Sequence, residues 1–189
     1  TYFFSNVARL TAKNVRHDWQ TDALGAPSAT NAYLQGDDFS AQALVATAKY
    51  SNYTQISRKE VVVSRTSNKV NTAGRKEELA YQIVKRGKEL KRDIEKACLS
   101  NNAATAGAAG SAALSAGVET WIFTTNHVSV SSQTTNTTPA PVSGIAATAG
   151  TDGSVIPISE VDLKNALQQA WSRGGETDVI LVTANIKNK

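Results

Sequence analysis

Asp37 and Asp38 stand side by side in a stretch of small polar residues, and two adjacent carboxylates could hold a cation. Adjacent acids in a loop are ordinarily solvated, and no EF-hand spacing surrounds them, so the solvated reading is preferred. The softer donors are Cys98, His17 and His127, whose spacing matches no known zinc site. His127 follows Asn126 with no acid paired to it in sequence. Phosphate-cradling patterns of the GxxxxGK[ST] or GxGxxG type are missing, as are the GxSxG and HExxH patterns of hydrolases. Asn52-Tyr53-Thr54 and Asn136-Thr137-Thr138 match the glycosylation tripeptide, but without a secretory signal they read as chance. The residues therefore nominate no catalytic group, cofactor or metal, and a non-enzyme is expected.

The totals agree. At 189 residues and 41% hydrophobic, the chain can build one large domain or two small ones. Charged residues make up 19%, below the usual quarter, and Ala, Thr, Ser and Asn fill the difference. A net charge of +4 allows weak attraction to polyanions, but its cations are mixed with acids and do not support sequence-specific reading of nucleic acid. The single cysteine excludes an intrachain disulfide framework, fits a reducing compartment such as cytoplasm, and reads as a buried small hydrophobe. No apolar run approaches the ~20 residues of a membrane span. The chain starts at Thr1 without Met and stops just after a strand-like run, which points to a piece of a longer polypeptide.

Several elements would position these residues. Tyr2-Phe3-Phe4 is suited to anchor an extended arm. Asn14–Leu24 alternates as a strand, with Val15, His17 and Trp19 on one side, and Leu44–Lys49 and Tyr53–Ser64 are further strand candidates. Lys13–Ser64 thus reads as two long antiparallel strands around a broad loop, Gly25–Ser40, that lacks an apolar face and needs a partner to order it. With Thr72 as its cap, Ala73–Leu99 is a long helix. Its stripe is Ile83, Gly87, Leu90, Ile94 and Ala97, and its mixed charges, including Arg86–Glu89 and Lys91–Glu95, describe a solvated face. Asn101–Gly117 reads as an Ala/Gly/Ser connector, Val118–Val130 as a strand around Trp121-Ile122-Phe123, and Ser131–Gly153 as loop. A second helix opens at Ser159 with Asp162 in a capping box and Ile158 as staple, and closes at Gly174-Gly175. Asp178–Ala184 reads as a buried strand.

Long stretches resemble the major capsid proteins of tailed bacteriophages with the Hong Kong 97-type fold, in the branch of head proteins classed as a domain of unknown function. These are "FFSNV", "HDWQTDALGAPSATNAYLQGDD" at His17–Asp38, "NYTQISRKEVVVS" at Asn52–Ser64 and "AGRKEELAYQIVKRGKELKRDIEKACLSN" at Ala73–Asn101. "AGVETWI" at Ala116–Ile122 and "VDLKNALQQAW…VILVTA" follow in the family's order, whereas 102–109 and 131–153 carry no signature of it.

The resemblance implies an α+β fold of the Hong Kong 97 type. Residues 1–12 would end an N-terminal arm, and 13–66 would be the extended loop with its returning strand. Residues 67–120 would form a peripheral domain on the spine helix 73–99, and 121–189 would start a truncated α/β axial domain. The implied function is a structural subunit of an icosahedral shell enclosing double-stranded DNA, assembled in the host cytoplasm and carried in the virion. Its partners would be copies of itself in hexamers and pentamers, DNA bound without sequence preference, and decoration or scaffold proteins, with no membrane. Trp19, Arg58 and Lys59 are the candidate subunit contacts, the two cations where the loop meets a neighbour. Alternatives are an encapsulin-like nanocompartment shell around a cargo enzyme, or a hydrolase or binding module whose site lies in residues beyond Lys189.

Overall fold

The computed structural model describes residues 2–38, 44–70, 74, 77–122, 137–153, 157 and 159–182. Helix α1 spans Tyr2–Asn6, followed by strands β1 (Arg16–Thr21) and β2 (Ala48–Tyr53), then helices α2 (Arg65–Lys69), α3 (Glu78–Leu99), α4 (Val118–Trp121) and α5 (Glu160–Ser172). The architecture is α+β.

β1 and β2 form an antiparallel pair running from Arg16↔Tyr53 to Thr21↔Ala48. The expected pairing is present but short, and β2 straddles the two strand candidates proposed for that side. Past Tyr53, Thr54 still donates to the Val15 carbonyl at 2.8 Å, and then 55–64 runs on outside any strand. Val61 and Val63 are half-buried and Val62 is exposed, so the valine run keeps the two-residue period of an extended chain. It differs from expectation because strand preference is realised only against a neighbouring strand, and none among the described residues pairs with it.

The N-terminal aromatics lie in a turn and a half of helix, and the Phe3 N–H donates to Glu95 Oε1 at 3.0 Å on α3. α2 had no forecast in the sequence. Ser64 caps it, accepting from the Ser67 N–H at 3.1 Å, and Asn68 Oδ1 then accepts from the Leu79 N–H at 3.1 Å. That bond serves an orphan donor in the first turn of α3, whose own N-cap, Glu77, makes no side-chain bond. The spine is thus 22 residues long and starts at Glu78. The expected cap Thr72 and Ala73 lie outside the described residues. Leu90, Ile94, Ala97 and Cys98 are half-buried, but Ile83 and Val84 are 56% and 59% exposed, so only the C-terminal half of the stripe is covered.

The centre of the fold lies in the segment read as a connector. Ala104, Ala116 and Ala146 are its buried apolar residues, with Tyr53, Trp121 and Ile145 against them. Residues 101–117 fold back on themselves through Thr105–Leu114 and Ala108–Ser111 bridges, with Gly110 at φ +87 in the turn. The segment 137–153, expected as plain loop, docks on it: the Ala104 N–H donates to the Ala146 carbonyl at 2.8 Å. Asn101 holds Gly150 both ways, its amide NH₂ donating to the carbonyl at 2.7 Å and its Oδ1 accepting from the N–H at 2.8 Å. Small side chains let these backbones meet, which is why a stretch without hydropathy period holds the core.

α4 replaces the start of the strand expected at Val118–Val130; residues 123–130 lie outside the described ones. Val, Thr, Trp and Ile favour strands on their own, but the Thr120 hydroxyl is buried and donates to the Asn102 carbonyl at 2.8 Å, which selects the helical turn. α5 starts as expected: Ser159 and Asp162 form the full capping box, and Gly174, at φ +81, closes the helix by donating to the Trp171 carbonyl at 2.9 Å. The staple residue Ile158 lies outside the described residues. The expected strand Asp178–Ala184 is absent over 178–182, where Val179 to Val182 are about half exposed, since no described strand pairs with them; 183–184 are not described.

Two glycines separate steric necessity from tolerance. A Cβ on Gly117 would stand 1.8 Å from the Ser100 carbonyl oxygen, whereas one on Gly87 in α3 meets nothing within 4 Å. Gly117→Ala should cost more than about 2 kcal/mol, and Gly87→Ala should add about 0.5–1 kcal/mol through the unfolded state and helix propensity. Thermal melts of the two variants compare them directly. Equal shifts would contradict the packing described for Gly117.

Candidate functional site

The site is the base of the excursion between β1 and β2 together with the segment that returns to the spine. Pairing places His17 and Trp19 on the same sheet face as Asn52 and Tyr50. Trp19 lies 5.1 Å from Trp121 and 6.3 Å from Tyr50 between ring centroids, and Tyr50 meets Trp121 edge-on at 6.2 Å. His17 stacks on Trp19 at 6.1 Å. Offset and tilted rings of this kind stabilise beyond their buried area.

Asn52 carries the polar half of the anchor. Its Oδ1 accepts from the Ala116 N–H at 2.9 Å, and its NH₂ donates to the Ala116 carbonyl at 3.3 Å. The side chain thus imitates a neighbouring strand, and the glycosylation match at Asn52 coincides with an amide already engaged. Ser51, buried beside it, donates its N–H to the Gly144 carbonyl at 2.9 Å. A Cβ on Gly144 would lie 2.1 Å from the Lys49 carbonyl oxygen, so only glycine admits that approach.

The other polar groups are on the outside. Asp18 pairs with Lys49 at 2.7 Å and Arg16 at 3.0 Å. The Lys49 ammonium holds the Asp18 carboxyl below its ordinary value; desolvation opposes it, and Arg16 adds to the lowering. Beyond the anchor, Leu24, Tyr33, Leu34, Leu44 and Val45 of the excursion's described part stand largely exposed. Asp37 and Asp38 are exposed there too, and no cluster of three or more His, Cys, Asp or Glu gathers among the described residues.

The three candidate contact residues fall in different surroundings. Trp19 is half-buried in the aromatic cluster of its own chain. Arg58 is exposed, 3.5 Å from Glu60. Lys59 reaches back to Asp93 on α3 at 2.6 Å, tying the returning segment to the spine. The sequence does not single out Asn52 and Trp121 as site residues. Nothing in a lone Asn or in the Val-Glu-Thr-Trp run signals that they face each other's neighbourhood across more than sixty residues.

Between the returning segment and α3 lies a cleft of ≈ 410 Å³ lined by Gln55, Ser57, Ile94, Ala97, Cys98 and Ser115. Burial pushes the Cys98 thiol up, and the Glu95 carboxylate pushes it the same way. Cys98 should therefore react with a disulfide reagent at pH 8 more slowly than in urea; an equal or faster rate would contradict this environment.

Asn52→Ala, by leaving the Ala116 backbone groups unpaired, should cost about 1–3 kcal/mol in a denaturant melt. Because the folded Asp18 is held below the unfolded carboxylate value of about 3.9, its pairing contributes fully above that value and is lost as pH falls through the depressed one. An NMR titration of Asp18 should show a midpoint below that of a model peptide.

The family described as SU10 major capsid protein matches residues 1–189. A major capsid protein of Escherichia phage Phieco32 is 42% identical over 105 residues, which are 56% of this chain and 30% of that protein. The match thus covers under a third of that relative's length.

Proposed function

Because the chain belongs to the family of SU10 major capsid proteins, we propose that it is a non-enzymatic structural subunit of a bacteriophage head, assembling with its own copies into a closed icosahedral shell around double-stranded DNA. The match along the whole chain carries this reading, and neither a nanocompartment shell nor a hydrolase finds support in the comparisons. The physical state of the chain supports it as well. Among the described residues, Leu24, Leu34, Leu44, Ile56, Val62 and Trp171 stand 78–100% exposed. Large apolar side chains left open in this way suit a protein whose remaining burial comes from neighbours.

The finer reading is a Hong Kong 97-type subunit. Its support is the order of the elements: a two-stranded excursion, a returning segment, a long spine, and then a capped helix. In that reading residues 13–66 form the extended loop, 67–120 the peripheral domain and 121–189 the start of the axial domain, with hexamers and pentamers as the assembled units. The exposed side chains of the excursion would be covered by the next subunit, with the virion as the final location.

Assembly of the full chain, viewed by negative stain, tests the reading. Uniform shells holding nuclease-protected DNA are expected; a monomer at every concentration, or shells filled with protein cargo, would overturn it. Arg58→Glu with Lys59→Glu should deplete particles on a sucrose gradient while preserving circular dichroism. Adding Asp93→Lys restores the pair that Lys59 makes within the chain, so any defect that remains belongs to Arg58. Normal particles from the first variant at every salt concentration would make both residues ordinary surface.

A further inference from the structure

The spine helix carries a column of cations that its own acids leave unpaired. At 3.6 residues per turn, Lys85, Lys88, Arg92 and Lys96 fall within about 80° of one another and on the side opposite Leu90, Ile94 and Ala97. All four are exposed. The mixed charges of this helix suggest neutralisation along its length, but the acids are engaged elsewhere. Glu89 pairs with Arg86 at 2.7 Å, Asp93 with Lys59 at 2.6 Å, and Glu95 accepts from the Phe3 N–H at 3.0 Å. Lys91–Glu95, expected as a pair from its spacing, does not form one. No carboxylate among the described residues lies within ion-pair distance of the four cations, which extend over about 16 Å of helix.

We infer that this column is a phosphate-contacting rail for nucleic acid, resting on the proposal that the shell encloses DNA. Four unpaired cations spaced about 5–6 Å along a straight rod offer a row of charge to a polyanion. Three of the four are ammonium point charges, and no Asn or Gln stands among them, so the contact is chiefly to the phosphate backbone and carries little sequence preference. An acidic face of a second copy is the rival partner. The observations favour nucleic acid because the chain as a whole is cationic, at +4, with an isoelectric point near 9.2. Copies that share this charge repel one another in general, whereas a polyanion attracts them all.

The test is anisotropy of a labelled DNA duplex of arbitrary sequence with the unassembled full chain, titrated across a range of salt. Lys85→Gln, Lys88→Gln, Arg92→Gln and Lys96→Gln together should flatten the slope of log affinity against log salt by up to about 3.6, at about 0.9 per phosphate contact. A control of equal net charge, Lys13→Gln, Arg65→Gln, Lys69→Gln and Lys164→Gln, should change it by less than about 1. Circular dichroism checks that the helix survives in both. Equal losses would mean that net charge alone acts, and an unchanged slope in the first variant would mean that the column does not meet DNA; either overturns the inference. Particle formation, scored in parallel on the unmodified chain, decides the shell reading separately. If the column variant keeps its DNA slope and loses particles, the column faces protein and the inference fails.

Discussion

The architecture hangs from a junction where three stretches of backbone meet with almost no side chain between them. β2 at Ser51-Asn52, the turn at Gly144-Ile145 and the folded-back segment around Ala104 and Ala116 are joined by main-chain hydrogen bonds and by the two-way amide of Asn52. Three buried alanines supply little apolar burial, so the junction depends on contact distance and on the pairing of its backbone polar groups. Its one buried side-chain atom without a partner among the described residues is Ser51 Oγ. Gly117 and Gly144 set how closely the strands and the spine can approach, and the aromatic cluster around Trp19 and Trp121 then fills the side of the hairpin that the junction leaves open.

Around that centre the molecule divides by how much each part is held. α1, α2 and the returning segment are each tied to α3 by specific polar contact, including Phe3 to Glu95, Asn68 to Leu79 and Lys59 to Asp93. Among the described residues α5 packs against no other named element, and its Val161 and Trp171 are largely exposed. In the described part of the excursion beyond its base, Leu24, Leu34 and Leu44 are exposed. Such a distribution suits a subunit of a larger assembly, in which surfaces that stay open in one copy acquire neighbours.

Legibility in the sequence followed side-chain pattern. α5 is readable to the residue because capping is local chemistry: Ser159, Asp162 and Gly174 act within one turn of the helix they bound. The spine is readable from its apolar stripe, but its start is not, because the acceptor that completes it, Asn68 Oδ1, belongs to another helix. The small-residue core escapes because alanine and glycine carry no hydropathy period and look the same in a linker and in a close backbone contact. The valine run and residues 178–182 have the composition of strands, but a strand also needs a partner, which sequence alone does not supply. Among the candidate contacts, Arg58 and Lys59 are legible as a cationic pair, while the attachment of Lys59 to Asp93 depends on where the returning segment meets α3.

The hairpin base also has a mechanical meaning. A pull on the excursion along its axis would reach the body through the Ser51–Gly144 bond, the Asn52–Ala116 amide pair and the rings around Trp19. Hydrogen bonds of a strand run across its axis, so a pull along β2 would load these contacts together in shear instead of opening them one after another like a zip. Tension gathered by a loose arm would thus arrive at a stiff pivot beside the C-terminal end of α3. A shell under internal pressure would load its subunits along such a path, and the pivot would yield as a unit or hold.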